Sequence, residues 1–331
     1  MDRVICIAVD LTGSEEQTEE RLAGCVGAVL ENEELCLTVL GNDKLIAGKL
    51  EALNIPENKI RLINVTHDIG KSDAPVQAVC DRRDSALVKG LTLVKNGEAG
   101  AFLSAAPITA LNTGAQMILG RIDRLQNVPN AALINGYEKQ ILFIDSGATG
   151  RNIRPFDLVM FARMGAHYMR YITGTDKPLV GLISDDPTPT NGDLLYRDGF
   201  ELLKRCRDYT FAGTVSPRSI LHGKADVVVC DGFSGGLVLD MLSGMISDHL
   251  EFEKEKTGRI IFGRSKRAWE KELLDTMDID KNKVVFLPGI RGNVLNIRER
   301  CDRNTLKQAI GYAGCFIKAD IVGRLIGLLR L

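Results

Sequence analysis

The chain has 331 residues, 45% of them hydrophobic and 26% charged, with a net charge of −1 at pH 7. That length accommodates one large or two ordinary domains, and the balance is that of a soluble globular protein. So little net charge argues against nucleic-acid binders, which carry a basic surface.

Residues 3–10 read as a strand entered directly from Asp2 and Arg3, without the pattern of a signal peptide. A helix over 15–30 follows, with acids in its first turn where they suit the dipole. Strands at 35–40 and 60–65 flank a helix near 43–53. This βαβαβ alternation predicts an α/β, doubly wound, mostly parallel sheet. Pro75 opens a helical region to about residue 96, whose Arg82, Arg83, Asp84 and Ser85 read as a solvated face or a phosphate contact. Next come a strand at 101–104 and a helix at 109–125. Two strands, 131–134 and 140–144, flank the hairpin signal Asn135-Gly136, so an antiparallel piece interrupts the pattern. Helix 156–171, strand 179–184 and helix 192–208 follow. Asp185-Asp186-Pro187-Thr188-Pro189-Thr190-Asn191 is a polar loop expected to border a pocket.

Val227-Val228-Val229-Cys230 is a buried strand that stops at Asp231 and gives way to Gly232-Phe233-Ser234-Gly235-Gly236, before a helix from Leu237. A helix start presents unpaired N–H groups and the positive end of the helix dipole, so it suits an anion; the alternative is a tight strand-to-helix turn with no ligand. Residues 5–13 (ICIAVDLTG) and 141–150 (ILFIDSGATG) repeat the arrangement of strand, Asp and small residues. In a parallel sheet the carboxyl ends of strands share one edge, where ligands bind. Recurrent small-residue corners therefore point to an enzyme with a backbone-lined pocket. Residues 245–283 are expected to project as a helical arm, whose mixture of apolar residues with Lys and Arg leaves open an anionic membrane surface, a solvated arm or a dimer contact. A strand at 284–287, a flexible loop at 289–293 and the arginines 298, 300 and 303 precede the last helix. That helix, 309–331, is the most apolar stretch, but Lys318, Asp320, Arg324 and Arg330 mark it as packed rather than membrane-spanning.

Gly232-Phe233-Ser234-Gly235-Gly236 also fits G-x-S-x-G, but the only later His, His249, lies 15 residues on in the helix that the turn opens. It is roughly four turns from the serine, which excludes a hydrolase triad. The four histidines lack metal-ligand spacing, and there is neither a dinucleotide nor a P-loop fingerprint. No metal and no cofactor is expected. The eight cysteines show no CxxC pair and read as reduced thiols in a cytosol. A pocket of amides, hydroxyls and arginines suits acyl transfer by positioning and oxyanion stabilisation.

Leu119-Gly120-Arg121-Ile122, Asp145-Ser146-Gly147-Ala148, Phe161-Ala162-Arg163-Met164-Gly165, Val180-Gly181-Leu182 and, most specifically, residues 225–235 (ADVVVCDGFSG) resemble the PlsX-type phosphate acyltransferases of phospholipid synthesis. The resemblance runs in order through nearly the whole chain. It implies a single domain over 1–331 with the arm at 245–283, and a homodimeric three-layer α/β/α fold like the isocitrate dehydrogenases and phosphotransacetylases. It also implies a reaction in which inorganic phosphate attacks an acyl-acyl carrier protein thioester, or an acyl-CoA, to give acyl phosphate. On that pattern Asp231, Ser234 and Arg298 are the catalytic candidates. Asp10, Gly13, Ser104, Asp145, Gly147, Asn191, Gly232, Phe233, Gly235 and Asn293 are the candidates for substrate and phosphate. The sequence departs from the family where it carries lysine, asparagine and histidine: Asn191, Gly236 and Arg298 stand there, and the late Lys-Ala-His-Gly aligns with Asn296-Ile297-Arg298-Glu299. Two other readings remain. Cys301, among Arg298, Arg300 and Arg303, has a setting that lowers a thiol pKa: either it carries the acyl group, as in PlsX-like subunits of amino-acid reductases, or, as the favoured reading, it is a spectator in a polar loop. A non-catalytic protein that binds acyl groups or phosphate is the third.

Overall fold

The structure is a computed structural model describing residues 4–65, 67–188, 193–257, 278–279 and 283–330, with side chains of 249–257 and 330 excluded. It divides into two compact units, 1–128 with 284–331, and 129–283. The single domain expected over 1–331 therefore contains two clusters of contacts, and most of the expected arm, 258–277, lies outside the described residues.

The first unit begins with β1 (Ile5–Asp10), α1 (Glu15–Glu31), β2 (Leu35–Gly41), α2 (Asp43–Ala52) and β3 (Ile60–Asn64). It continues with α3 (Pro75–Asp81), α4 (Ala86–Lys95), β4 (Ala101–Ser104) and α5 (Ile108–Ile118). The second unit holds β5 (Ala131–Asn135), β6 (Gln140–Ile144), α6 (Pro155–Thr173), β7 (Leu179–Ile183), α7 (Leu194–Arg205), β8 (Thr210–Val215), β9 (Val227–Val229) and α8 (Gly232–Thr257). The chain then returns to the first unit as β10 (Val284–Phe286), β11 (Asn293–Ile297), α9 (Arg303–Lys318) and α10 (Ile321–Arg330).

Strands of the first unit run in the order β3-β2-β1-β4-β11-β10. All neighbours are parallel except β10 and β11. Side chains alternate across a strand, which decides what each face meets. Ala8, Phe102 and Val294 face one way, into a core shared with Val79, Leu87, Leu91 and Leu111 of α3, α4 and α5. Their neighbours Ile7, Val9, Leu103 and Leu295 point to the other face, where α9 packs on β1, β4 and β11 and against α1. The result is a three-layer α/β/α unit, as the alternation of elements predicted. Gly90 is required where α4 crosses the sheet, since a Cβ there would lie 2.1 Å from the Phe102 ring.

In the second unit the order is β5-β6-β9-β7-β8, with only the β5–β6 hairpin antiparallel. Ile144, Phe161, Met164, Leu182 and Val227 are fully buried between this sheet and α6.

Several elements differ from the sequence reading. The helical region 75–96 is two helices, because Ser85 accepts from the Val88 N–H and caps a new start. Helix α8 begins at Gly232 rather than at Leu237, so the glycine-rich corner is itself the first helical turn. The loop at 289–293 is a turn at Gly289 (φ +98°) that leads into β11. The last helix breaks at Asp320 (φ +48°) into α9 and α10. Strand β8 was not foreseen; it carries a bulge at Gly213 (φ +84°) that disturbs its alternation. Cys6 and Cys36 are register partners on β1 and β2, with Cα atoms 4.8 Å apart. Among the described residues no helix is long and apolar enough to cross a membrane.

Candidate active site

At the carboxyl edge of the first unit, Asp10 ends β1 fully buried. Its Oδ1 accepts from the Thr12 N–H (2.9 Å) and the Thr12 hydroxyl (2.7 Å), and its Oδ2 accepts from the Ser104 hydroxyl (2.7 Å). Ser104 Oγ in turn accepts from the Ala106 N–H at 3.0 Å. Asn296, on β11 in register with Ser104, donates from its amide to the carbonyls of Ser104 and Ala106, both at 2.9 Å. One carboxylate, two hydroxyls and one amide thus fix the loops after β1 and β4 against β11. Gly13 (φ +139°) lets the first loop turn back, and a Cβ there would meet the Gln17 side chain at 2.6 Å.

Arg21 of α1 lies beneath this loop, 1% exposed. Its guanidinium donates to the Thr12 carbonyl and, at 2.8 Å, to the Glu299 carbonyl, while its buried Nε has no partner. Two cavities open here, of about 620 and 380 Å³. The larger is lined by Asn42, Lys44, Asn64 and His67, the smaller by Arg21, Lys71, Ser72 and Pro107; Thr12, Gly13 and Asp68 line both.

In the second unit Asp145, fully buried, ends β6. Its Oδ1 accepts from the N–H groups of Asn130 (2.9 Å), Gly147 (3.1 Å) and Ala148 (2.9 Å), and its Oδ2 from that of Thr149 (2.6 Å). Burial pushes this carboxyl up, opposed by the N–H donors of Ala148, Asn130 and Thr149. The loop it orders lies against the first turn of α8. A Cβ on Gly232 would stand 2.1 Å from the Thr149 carbonyl oxygen, and one on Gly235 would stand 1.9 Å from that of Asp145. These two glycines are required by contact with the protein's own backbone. At the helix start, the Gly232 N–H donates to the Thr149 hydroxyl (3.1 Å) and the Ser234 N–H to Asp231 Oδ1 (3.0 Å). Two amides assigned to an external anion are therefore engaged by the protein itself. Asp231 Oδ2 accepts from the Tyr196 hydroxyl of α7 at 2.7 Å. Burial, and then the neighbouring Cys230, push that phenol well above its usual range. Beside the corner, the Arg151 guanidinium stacks 3.9 Å from the centroid of the half-exposed Phe233 ring.

Of the residues expected from sequence, Asp10, Gly13 and Ser104 gather in the first unit, and Arg298 follows β11 at the same strand edge, half-buried. Asp145, Gly147, Asp231, Gly232, Phe233, Ser234 and Gly235 gather in the second. Asn293 does not join them: it pairs with Ala101 at the amino end of β4, three residues from Asn296, and donates to the Gly100 carbonyl. Asn191 lies outside the described residues. Sequence reasoning missed Thr12, Arg21, Asp68, Thr149, Tyr196 and Asn296 as parts of these networks. Asn296 alone carried a signal, a polar residue in the alternating run 293–297. Cys301 is 4% exposed, and burial pushes its thiol up against the lowering pull of Arg21, which favours the spectator reading over the acyl-carrying one.

The fold is shared with several solved structures. A phosphotransacetylase from Streptococcus pyogenes superposes with a TM-score of 0.61 at 16% identity, over 95% of this chain and 94% of that one. The EutD phosphotransacetylase from Staphylococcus aureus gives 0.59 at 14% identity, over 95% and 94%. The architecture is thus that of the phosphotransacetylase-like α/β proteins. By sequence the chain belongs to the family described as "Fatty acid synthesis protein", which matches residues 5–324, and it is an acyltransferase. A phosphate acyltransferase from Clostridium tetani is 30% identical over 323 residues, 96% of each chain. One from Clostridium botulinum (strain Loch Maree / Type A3) is 35% identical over 250 residues, 76% of this chain and 74% of its own.

Proposed function

We propose that the protein is a phosphate acyltransferase that moves an acyl group from the thioester of an acyl carrier protein, or of CoA, to inorganic phosphate. The observation that carries this reading is the 30% identity with the Clostridium tetani enzyme along 96% of both chains. The local geometry supports it: two cavities at a parallel-sheet edge, lined by hydroxyls, amides and a buried arginine, with the nearby Cys301 thiol withdrawn from solvent. Phosphate is then the nucleophile. One of its oxygens attacks the thioester carbonyl, the tetrahedral oxyanion collapses, and the carrier leaves as a thiol. The enzyme's work is to position the reactants and stabilise charge.

In this scheme Asp10, Ser104, Asp145, Asp231, Gly147, Gly232 and Gly235 hold the corner loops in place. Within the first unit Gly13 and the positive charge of Arg298 are assigned to substrate, with Arg21 lining the smaller cavity; within the second the Ser234 hydroxyl and Phe233 are so assigned, and Asn191 keeps the binding role that the resemblance implies. Arg298 takes over the cationic role of the family's histidine. Fatty acid and phospholipid synthesis is the metabolic setting, and a homodimer in the cytoplasm is the working form, with peripheral membrane contact through the segment around 250–269. The test is release of free thiol from acyl-acyl carrier protein and acyl-CoA, with acyl phosphate trapped as hydroxamate. Thiol release must depend on phosphate, and no turnover with any acyl length would defeat the reading in favour of a binding protein.

A further inference from the structure

The buried face of α1 runs through Thr18, Leu22, Cys25, Ala28 and Val29, and Arg21 lies among them. An arginine only 1% exposed destabilises a fold unless its charge is balanced, because a guanidinium leaves water reluctantly. The protein's own groups do not balance this one. A guanidinium carries a fork of N–H donors. One of them meets the Thr12 carbonyl and another the Glu299 carbonyl, both uncharged, and the buried Nε meets no acceptor. Cys301 lies beside it, and burial pushes that thiol up, so it brings no charge at neutral pH. Among the described residues no carboxylate pairs with the guanidinium.

We propose that the smaller cavity of the first unit, of about 380 Å³, is the subsite for inorganic phosphate, with Arg21 as its buried cation, an inference that rests on the function proposed above. Arg21 lines that cavity together with the hydroxyl residues Thr12 and Ser72. An anion bound against a buried guanidinium balances it, and the planar fork matches two oxygens of one phosphate. The two carbonyl contacts tie the loop after β1 to the 299 segment, so the cation is held in place before phosphate arrives.

Two acids share the wall of this cavity, Asp68 and Glu299. Glu299 is taken up by Lys71 at 3.2 Å. Asp68 does not bar phosphate, which near neutral pH keeps a proton on at least one oxygen and can donate it to a carboxylate. The cations of the larger cavity, Lys44 and His67, are exposed, so water already solvates them and they make no comparable demand for an anion.

The experiment follows melting temperature and hydroxamate kinetics in wild type, Arg21→Met, Arg21→Lys and Ser72→Glu. Phosphate is titrated against chloride at equal ionic strength, so that screening is the same throughout. Wild type should melt higher in phosphate than in chloride, and Arg21→Met should lose that rise. Methionine keeps an apolar stem without the charge, a replacement that a buried ionic site often tolerates. A hydrogen bond to a charged group is worth about tenfold or more, so Arg21→Met should raise the phosphate KM by about 10- to 100-fold and leave the thioester KM within about threefold. Arg21→Lys, which keeps the charge and loses the fork, should fall between the two. Ser72 is exposed, so Ser72→Glu should fold as wild type does and raise the phosphate KM by its charge alone. A phosphate KM unchanged in folded Arg21→Met, or in Ser72→Glu should Arg21→Met not fold, overturns the inference and leaves the function standing. A loss that falls on the thioester KM instead overturns it too. A wild type that makes no acyl phosphate, yet is stabilised by phosphate through Arg21, loses the proposed function and keeps the anion site.

Discussion

A methyl group added at Gly235 tests how the glycine-rich corner is used. The new Cβ would lie 1.9 Å from the Asp145 carbonyl oxygen and 2.8 Å from Cys230 Sγ, whereas ordinary contact begins at 3.4 Å. The shortfall against backbone is thus about 1.5 Å, too large for a side-chain adjustment to absorb, so α8 and the 145–149 loop must part. Overpacking of this kind costs about 1–3 kcal/mol, and separation also strains the Asp145 bonds that order the loop, at about 1 kcal/mol each. Helix propensity returns roughly 1 kcal/mol for Gly→Ala, leaving a net loss of about 2–3 kcal/mol. Gly244, in the same helix, has nothing within 4 Å of its ideal Cβ, so Gly244→Ala should gain about 0.5–1 kcal/mol from propensity alone. Urea unfolding should place the two variants on opposite sides of wild type. Equal midpoints for Gly235→Ala and Gly244→Ala would refute the packing argument and return Gly235 to the role of making room for a ligand.

Replacing Asn296 by Ala leaves the carbonyls of Ser104 and Ala106 without their shared donor and should cost about 1–3 kcal/mol in urea unfolding, with a matching loss of activity. Asn293→Ala, at the other strand end, should leave phosphate affinity unchanged in a titration of thiol release. An acid whose pKa is raised by folding destabilises the fold once it ionises, so Asp68→Asn should melt higher than wild type at neutral pH, and calorimetry should show the gap closing as pH falls below the ordinary aspartate range. With a thiol-specific reagent, exposed Cys80 should label first and Cys301 only on unfolding, without loss of activity at the first step.

The first unit was legible because its strands and helices alternate with clear periods and its helices start at residues such as Ser14, whose capping box with Gln17 is visible in the sequence. Asp10, Asp145 and Asp231 were also legible, since each ends an apolar strand. Their partners were not. Tyr196 reaches Asp231 from 35 positions away, and Asn296 reaches Ser104 from 192, so neither pairing has a local trace. The glycines read in sequence as places where backbone approaches substrate, but whether backbone or ligand approaches is a tertiary question, and at Gly232 and Gly235 it is backbone. Arg21 looked like one more charge on an amphipathic helix; only the return of the 299 segment over α1 buries it. The acyl-carrying reading of Cys301 fails for the same reason, since nearby arginines in sequence say nothing about desolvation.

The way the chain leaves the first unit and returns to it bears on how the protein is made. When residue 128 emerges from the ribosome, β4 has β1 on one side and nothing yet for its other edge, because β11 is encoded more than 160 positions later. The second unit is continuous in sequence and can close while the nascent amino-terminal part waits with one sheet edge and the α9 face of its core uncovered. A stop codon or a proteolytic nick in the last fifty residues should therefore spare the later-translated middle and ruin the portion synthesised first.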